Sequence, residues 1–153
     1  MSHSYTRIWV HGIFHTKNKH IQIPEKFEQD LTRHIKKSIE ENFQSTVTAI
    51  NVCRDHVHVL FNLNPNYAMK NIFHQVKGES SHWWNQMNYT PFKLMWQTGY
   101  SALSVSPKTL PVVEKYIFNQ KEHHKKISFK EEWEKFLIAA GAVPGKDFEK
   151  DDK

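Results

Sequence analysis

The stretch RDHVHVLFNL, residues 54–63, constrains this chain more than any other. Successive side chains of a strand point to opposite faces, so Val57, Val59, Phe61 and Leu63 share one side and His56, His58, Leu60 and Asn62 the other. The first face is apolar throughout and has to be covered by other elements. The second carries two imidazoles, whose Cα atoms a strand holds about 7 Å apart, close enough for both to ligate one metal ion. Solvated histidines on an open face are the other reading. The chain holds 11 histidines in 153 residues, so neighbours of the pair have to decide between the two.

The remaining periodicity says what covers the apolar face. In YTRIWVHGIFH, residues 5–15, Thr6, Ile8, Val10 and Phe14 fall on one side and Tyr5, Arg7, Trp9 and His11 on the other, which predicts a first strand. Past Pro24, Phe27, Leu31, Ile35, Ile39 and Phe43 recur every four residues, the stripe of an amphipathic helix. TVTAINVC, 46–53, predicts a second strand, joined through a turn at Arg54-Asp55 to a third over 56–63. Met69, Ile72, Phe73, Val76, Trp83, Trp84 and Met87 then give a second helix that tolerates Gly78 and ends by Tyr89–Pro91; this spacing makes Trp83 and Trp84 packing residues. Residues 94–105 predict one bent strand or two short ones around Thr98-Gly99. Ser106-Pro107 starts a helix expected to reach about His124, and Ser128 with Glu131 makes a capping box before a last helix that stops at Gly141.

The order is β-α-β-β-α-β followed by helices. It predicts an α+β fold of the ferredoxin-like, split β-α-β or RRM-like kind: an antiparallel sheet with helices on one face and the other face open. One domain is expected over residues 1–141, with 142–153 a polar tail. Cys53 is the single cysteine, so no internal disulfide can form, and a reducing, cytoplasmic setting is expected. The first residues lack an apolar signal core and no stretch has the length of a membrane span, so no membrane partner is expected. A formal charge of +5 and a pI near 9.2 lean towards a polyanionic partner.

Beyond the strand, the segment VVEKYIFNQKEHHKK draws attention. Tyr116 and Gln120 are four apart and share a face on a continuous helix. A half-buried tyrosine beside a surface glutamine is an ordinary pair, and His123 and His124 equally suit a solvated helix end.

Taken in order, the first strand with its aromatic residue and His11, RDHVHVLF, VKGESSHWWN, WQTGYSALSVS, YIFNQKEHHKK and SFKEEWEKFL resemble the small single-tyrosine HUH transposases of the insertion sequence 200/605 type, "HUH" standing for His-hydrophobic-His. The likeness spans roughly residues 5–140. It implies that His56, His58 and Gln120 bind a divalent ion, magnesium or manganese, and that Tyr116 is the nucleophile on single-stranded DNA. It implies a 5′-phosphotyrosine intermediate with a free 3′-OH, used to cleave and rejoin strands during transposition. It also implies a homodimer whose tyrosine helix acts in trans, through a flexible link near 104–107, on hairpin-bearing single strands at element ends. Arg7, Lys70, Lys77 and Lys93 are candidate phosphate contacts, and Trp9, His11 and Trp96 complete the expected DNA-facing set.

Other functions compete. A non-catalytic or domesticated ferredoxin-like module could bind single-stranded nucleic acid through the open face, although the usual aromatic RNA-binding strand signature is missing. A replication initiator or relaxase tends to carry its tyrosine before the HUH motif or a lysine near it; here the tyrosine follows the motif. A metal-storage protein would explain the histidines and leave the tyrosine helix without a role.

Overall fold

The computed structural model describes residues 3–124, 127–139 and 141. The expected tail over 142–153 lies outside them. The chain divides into two compact units, Met1–Phe118 and Asn119–Lys153.

The first unit is a four-stranded antiparallel sheet in the order β2-β3-β1-β4. Its strands are β1 (Trp9–His15), β2 (Val47–Val52), β3 (His56–Asn62) and β4 (Ser101–Val105). Helices α1 (Glu25–Phe43) and α2 (Met69–Met87) link them in the expected split β-α-β order. The apolar stripe of α1 is buried through Leu31, Ile35, Ile39 and Phe43, and α2 contributes Ile72, Phe73, Val76 and Trp84. These meet Val10 and Phe14 of β1 and Val57, Val59 and Phe61 of β3 in one core. Each such side chain is worth about 1.5–3 kcal/mol of burial, which fixes the register of β3 and so the face on which its histidines lie.

Several local expectations change. The first strand begins at Trp9, four residues later than the alternation suggested, and Tyr5 is 81% exposed. Residues 94–105 give one strand and an isolated bridge where one bent strand or two short ones were expected. Trp96 makes an isolated bridge to Thr16, Gly99 turns the chain at φ +93°, and β4 follows. The α2 lysine Lys77 clamps that turn, donating to the carbonyls of Gln97 (2.7 Å) and Gly99 (2.6 Å). Trp84 is core as expected, while Trp83 lies half-buried and stacks on His34 with ring centroids 4.0 Å apart.

The face opposite α1 and α2 is not open. A 3₁₀ turn (Pro107–Thr109), entered through Ser106 as expected, leads into α3 (Leu110–Phe118), and α3 lies on that face. Ile117 is buried there against Ala49 and Leu60, with Trp9, Val105, Leu110, Val113 and Tyr116 around them. A bulge between Val47 and Ala49 makes this possible. The extra residue shifts the alternation of β2, so that Val47, Ile50 and Val52 serve the main core while Ala49 lies in the second cluster.

In the second unit α4 (Gln120–His124) precedes α5 (Phe129–Ala139). Ser128 caps α5 through a hydrogen bond from the Glu131 amide (3.3 Å), and Gly141 closes it at φ +96°, both as expected. The helix expected to run unbroken to His124 is interrupted at Asn119. Asparagine is a poor helix interior residue. In addition, the Ile117 carbonyl, which an unbroken helix would pair with the amide four residues on, accepts a hydrogen bond from Asn51 Nδ2 at 2.9 Å. No described helix is long and apolar enough to cross a membrane.

Candidate active site

Two β3 histidines form the centre of the site, and both are buried. Each is held by its Nδ1 atom. Asp55, at the hairpin turn, places a carboxylate oxygen 2.7 Å from His56 Nδ1. On neighbouring β1, His11 places Nε2 2.9 Å from His58 Nδ1. The rings of His56 and His58 stand edge to face, with centroids 5.1 Å apart.

The donor set suits a metal ion. A ligating imidazole coordinates through one nitrogen while the other donates its N–H to an acceptor that fixes tautomer and ring angle. Asp55 is such an acceptor for His56. His11 is one for His58, provided it is neutral. Burial pushes the His11 pKa from the usual 6.5 down to about 4, so near neutral pH its Nε2 can accept from His58 Nδ1–H. Both β3 rings then present Nε2 as the coordinating atom. A reading of the sequence alone placed His11 among DNA contacts; its burial and its bond to His58 make it a support of the site instead.

Helix α3 brings Tyr116 over these rings. Its ring lies 5.7 Å from that of His58 and 6.4 Å from that of His11, edge-on to both. Its register is set by Ile117, buried on the sheet one residue later, and by Asn51, the cross-strand neighbour of His58 that bonds the Ile117 carbonyl. Gln120 opens α4, beyond the break at Asn119.

The remaining expected contacts divide by exposure. Arg7, Lys70 and Lys93 are exposed. Lys77 spends two of its donors on the Gln97 and Gly99 carbonyls, and burial lowers its pKa. Trp96 packs edge-on against Phe14 (4.9 Å) and donates Nε1–H to Ser80 Oγ (3.0 Å), which makes it part of the fold. Trp9 is half-buried beside the second core cluster. Asp55 and Asn51 went unnoticed in the sequence. Asp55 carried a signal, being adjacent to the HUH strand; Asn51 carried none without the register of the hairpin.

A ferredoxin-like sheet with a His-hydrophobic-His strand set beneath a tyrosine-bearing helix defines a class of protein, the HUH-type tyrosine transposases. Residues 4–120 match the family described as "Transposase IS200 like", and the chain belongs to that family of DNA-processing enzymes. Among solved structures it is similar to a proposed transposase from Deinococcus radiodurans R1, at 24% identity and a TM-score of 0.58, covering 78% of this chain and 96% of that one. It is also similar to a REP-associated tyrosine transposase bound to a REP hairpin, at 15% identity and a TM-score of 0.63, covering 97% of this chain and 90% of that one. Both likenesses are of fold. No curated protein matches the sequence.

Proposed function

We propose that this chain is a metal-dependent tyrosine transposase that cleaves and rejoins single-stranded DNA. The observation that carries this reading is the Tyr116 ring packed 5.7 Å from that of His58. A solvated histidine pair would have no need of a phenol above it or of the two Nδ1 partners below it.

In this reading Tyr116 Oη loses its proton and attacks the phosphorus of a phosphodiester. The bond from phosphorus to the 3′ oxygen breaks, and that oxygen leaves and takes up a proton. The strand downstream stays joined to Tyr116 through its 5′ phosphate. A phosphotyrosine keeps the bond energy for rejoining, in which a 3′-OH attacks and Tyr116 is released. A divalent ion, magnesium or manganese, held by His56 and His58, would withdraw charge from the non-bridging phosphate oxygens. Gln120 as third ligand rests on the family resemblance, as does a homodimer with the tyrosine helix acting in trans, while a cytoplasmic setting rests on the single cysteine. The hairpin bound by the REP-associated relative supports hairpin-bearing strands as substrate.

Incubating the protein with single-stranded DNA from the ends flanking its gene, with magnesium or manganese, tests the proposal on a denaturing gel. A covalent band that requires metal and disappears in Tyr116→Phe and His58→Ala is the expected result. Retained binding with no covalent band under either metal would favour a non-catalytic or domesticated binding module.

A further inference from the structure

At the end of β3 away from His56, the first unit holds a polar cleft of about 230 Å³. Thr6 and Arg7, ahead of β1, form one side, and Gln44 and Thr46, between α1 and β2, form another; the run Asn62, Leu63, Asn64 and Pro65 completes it. Asn62 follows His56, His58 and Leu60 on alternate positions of β3, so it lies on the sheet face that carries the histidines.

The chemistry of the lining is selective. It offers amides, hydroxyls and one guanidinium and no carboxylate, so it favours an anionic or neutral polar ligand over a cation. The two outer amides are anchored within the protein. Gln44 Oε1 accepts from Tyr67 Oη (2.9 Å) and its Nε2 donates to the Glu41 carbonyl (3.3 Å). Asn64 Oδ1 accepts from the Asn66 amide at 2.9 Å. Asn62 differs. Its backbone amide is bonded to the Thr46 carbonyl (2.9 Å), while its side chain makes no hydrogen bond among the described residues. A half-buried carboxamide held in a rigid strand with both donor and acceptor available is a group that reads the edge of a base. Arg7 is exposed beside it, and the Tyr5 ring lies under its guanidinium at 4.9 Å, itself 81% exposed. An arginine, an exposed aromatic ring and a polar cleft are the components of a site for single-stranded nucleic acid.

We propose that this cleft binds one nucleotide of a single strand, with Asn62 reading the base edge, Arg7 pairing with its phosphate and Tyr5 offering a stacking surface. The inference rests on the proposed action on DNA and adds a protein-borne sequence preference at one position. From His58 to Asn62 the strand runs about 13 Å, so the base read lies beyond the two nucleotides that flank the scissile phosphate.

The test is a titration of the full-length, isotope-labelled protein with each of the four deoxynucleoside monophosphates and, separately, with inorganic phosphate, followed by amide chemical shifts. The expected result is shifts gathered at Thr6, Arg7, Thr46 and Asn62, with one base bound about tenfold more tightly than the weakest. Asn62→Ala and Asn62→Ser, each with an unchanged spectrum elsewhere, should erase the preference, and Arg7→Ala should weaken all four alike. Equal shifts from inorganic phosphate and every nucleotide would reduce the cleft to a plain anion site and overturn the proposal. So would a preference that survives both Asn62 variants, or shifts that fall elsewhere. The covalent-adduct gel is independent: an adduct without nucleotide shifts rejects the cleft alone, and shifts without an adduct reject the cleavage reading alone.

Discussion

Asn51 of β2 donates its side-chain amide to the Ile117 carbonyl at 2.9 Å, while its own cross-strand neighbour on β3 is His58. One residue thus ties the end of the tyrosine helix to the strand that carries the candidate metal ligands. Without it, α3 would be held on the sheet by a small apolar cluster centred on Ala49, Leu60 and Ile117.

Replacing Asn51 should therefore act on chemistry more than on folding. Loss of one hydrogen bond at a half-buried site costs about 1 kcal/mol of stability. A nucleophile displaced by a fraction of an ångström can lose far more in rate. Asn51→Ala is expected to slow single-turnover adduct formation by about tenfold or more, with manganese affinity unchanged. A matched loss of both would mean that Asn51 supports the whole site and not the tyrosine.

Gly12 makes a separate test of the fold. A Cβ built there would lie 2.4 Å from Phe73 Cζ and 3.3 Å from a Val59 methyl carbon. Phe73 cannot withdraw easily, since it stacks on Tyr100 with centroids 4.2 Å apart and meets Phe14 edge-on. Gly12→Ala should destabilise the protein by about 1–3 kcal/mol, read from urea unfolding, and Phe73→Leu in the same chain should recover part of the loss. An Ala variant as stable as the parent would show that the α2 face yields more than this packing suggests.

Much of the arrangement was legible in the sequence because a period-two and a period-four pattern cannot both be satisfied by one backbone. Val57, Val59 and Phe61 had to face the core, which turned His56 and His58 to the opposite side. The covering of that side by α3 was not legible. Ile117, Val113 and Leu110 read as any amphipathic stripe, and nothing local says which sheet face receives it. The bulge at Val47–Ala49 was hidden for a similar reason, since one inserted residue reverses the alternation without a glycine or proline to announce it. The burial of His11 and half-burial of Lys77 were not legible either, because a basic side chain reads as surface until its packing is known.

His11 should leave a mark on the acid stability of the metal-free protein. Its pKa is about 4 in the folded chain against an ordinary 6.5. As pH falls from 6.5 to 4 the unfolded chain takes a proton at this site and the folded chain does not, so stability drops. Below about 4 both states hold the proton and the loss stops. The shift corresponds to roughly 3 kcal/mol in total. Its titratable neighbours, His58 and Tyr116, lie on the adjoining strand and on α3. With chelator present, melting temperatures of the parent should fall over this window, and His11→Gln should flatten the fall. Parallel curves for the two proteins would contradict a neutral, buried His11.

Asp55 offers the sharpest test of the metal reading, because it touches His56 and lies outside the sheet. A carboxylate 2.7 Å from Nδ1 holds the N–H on that atom and makes Nε2 a better donor to a cation. An amide in its place can still accept the same hydrogen bond but brings no charge. Outer partners of this kind typically matter by 10- to 100-fold in metal affinity. Asp55→Asn should thus weaken manganese binding by about tenfold and Asp55→Ala by more, measured by electron paramagnetic resonance of the free ion. The turn itself should survive both changes, since its backbone closure runs from the Cys53 amide to the His56 carbonyl at 2.8 Å. Unchanged manganese affinity in Asp55→Ala, with the fold intact, would remove His56 from the ligand set.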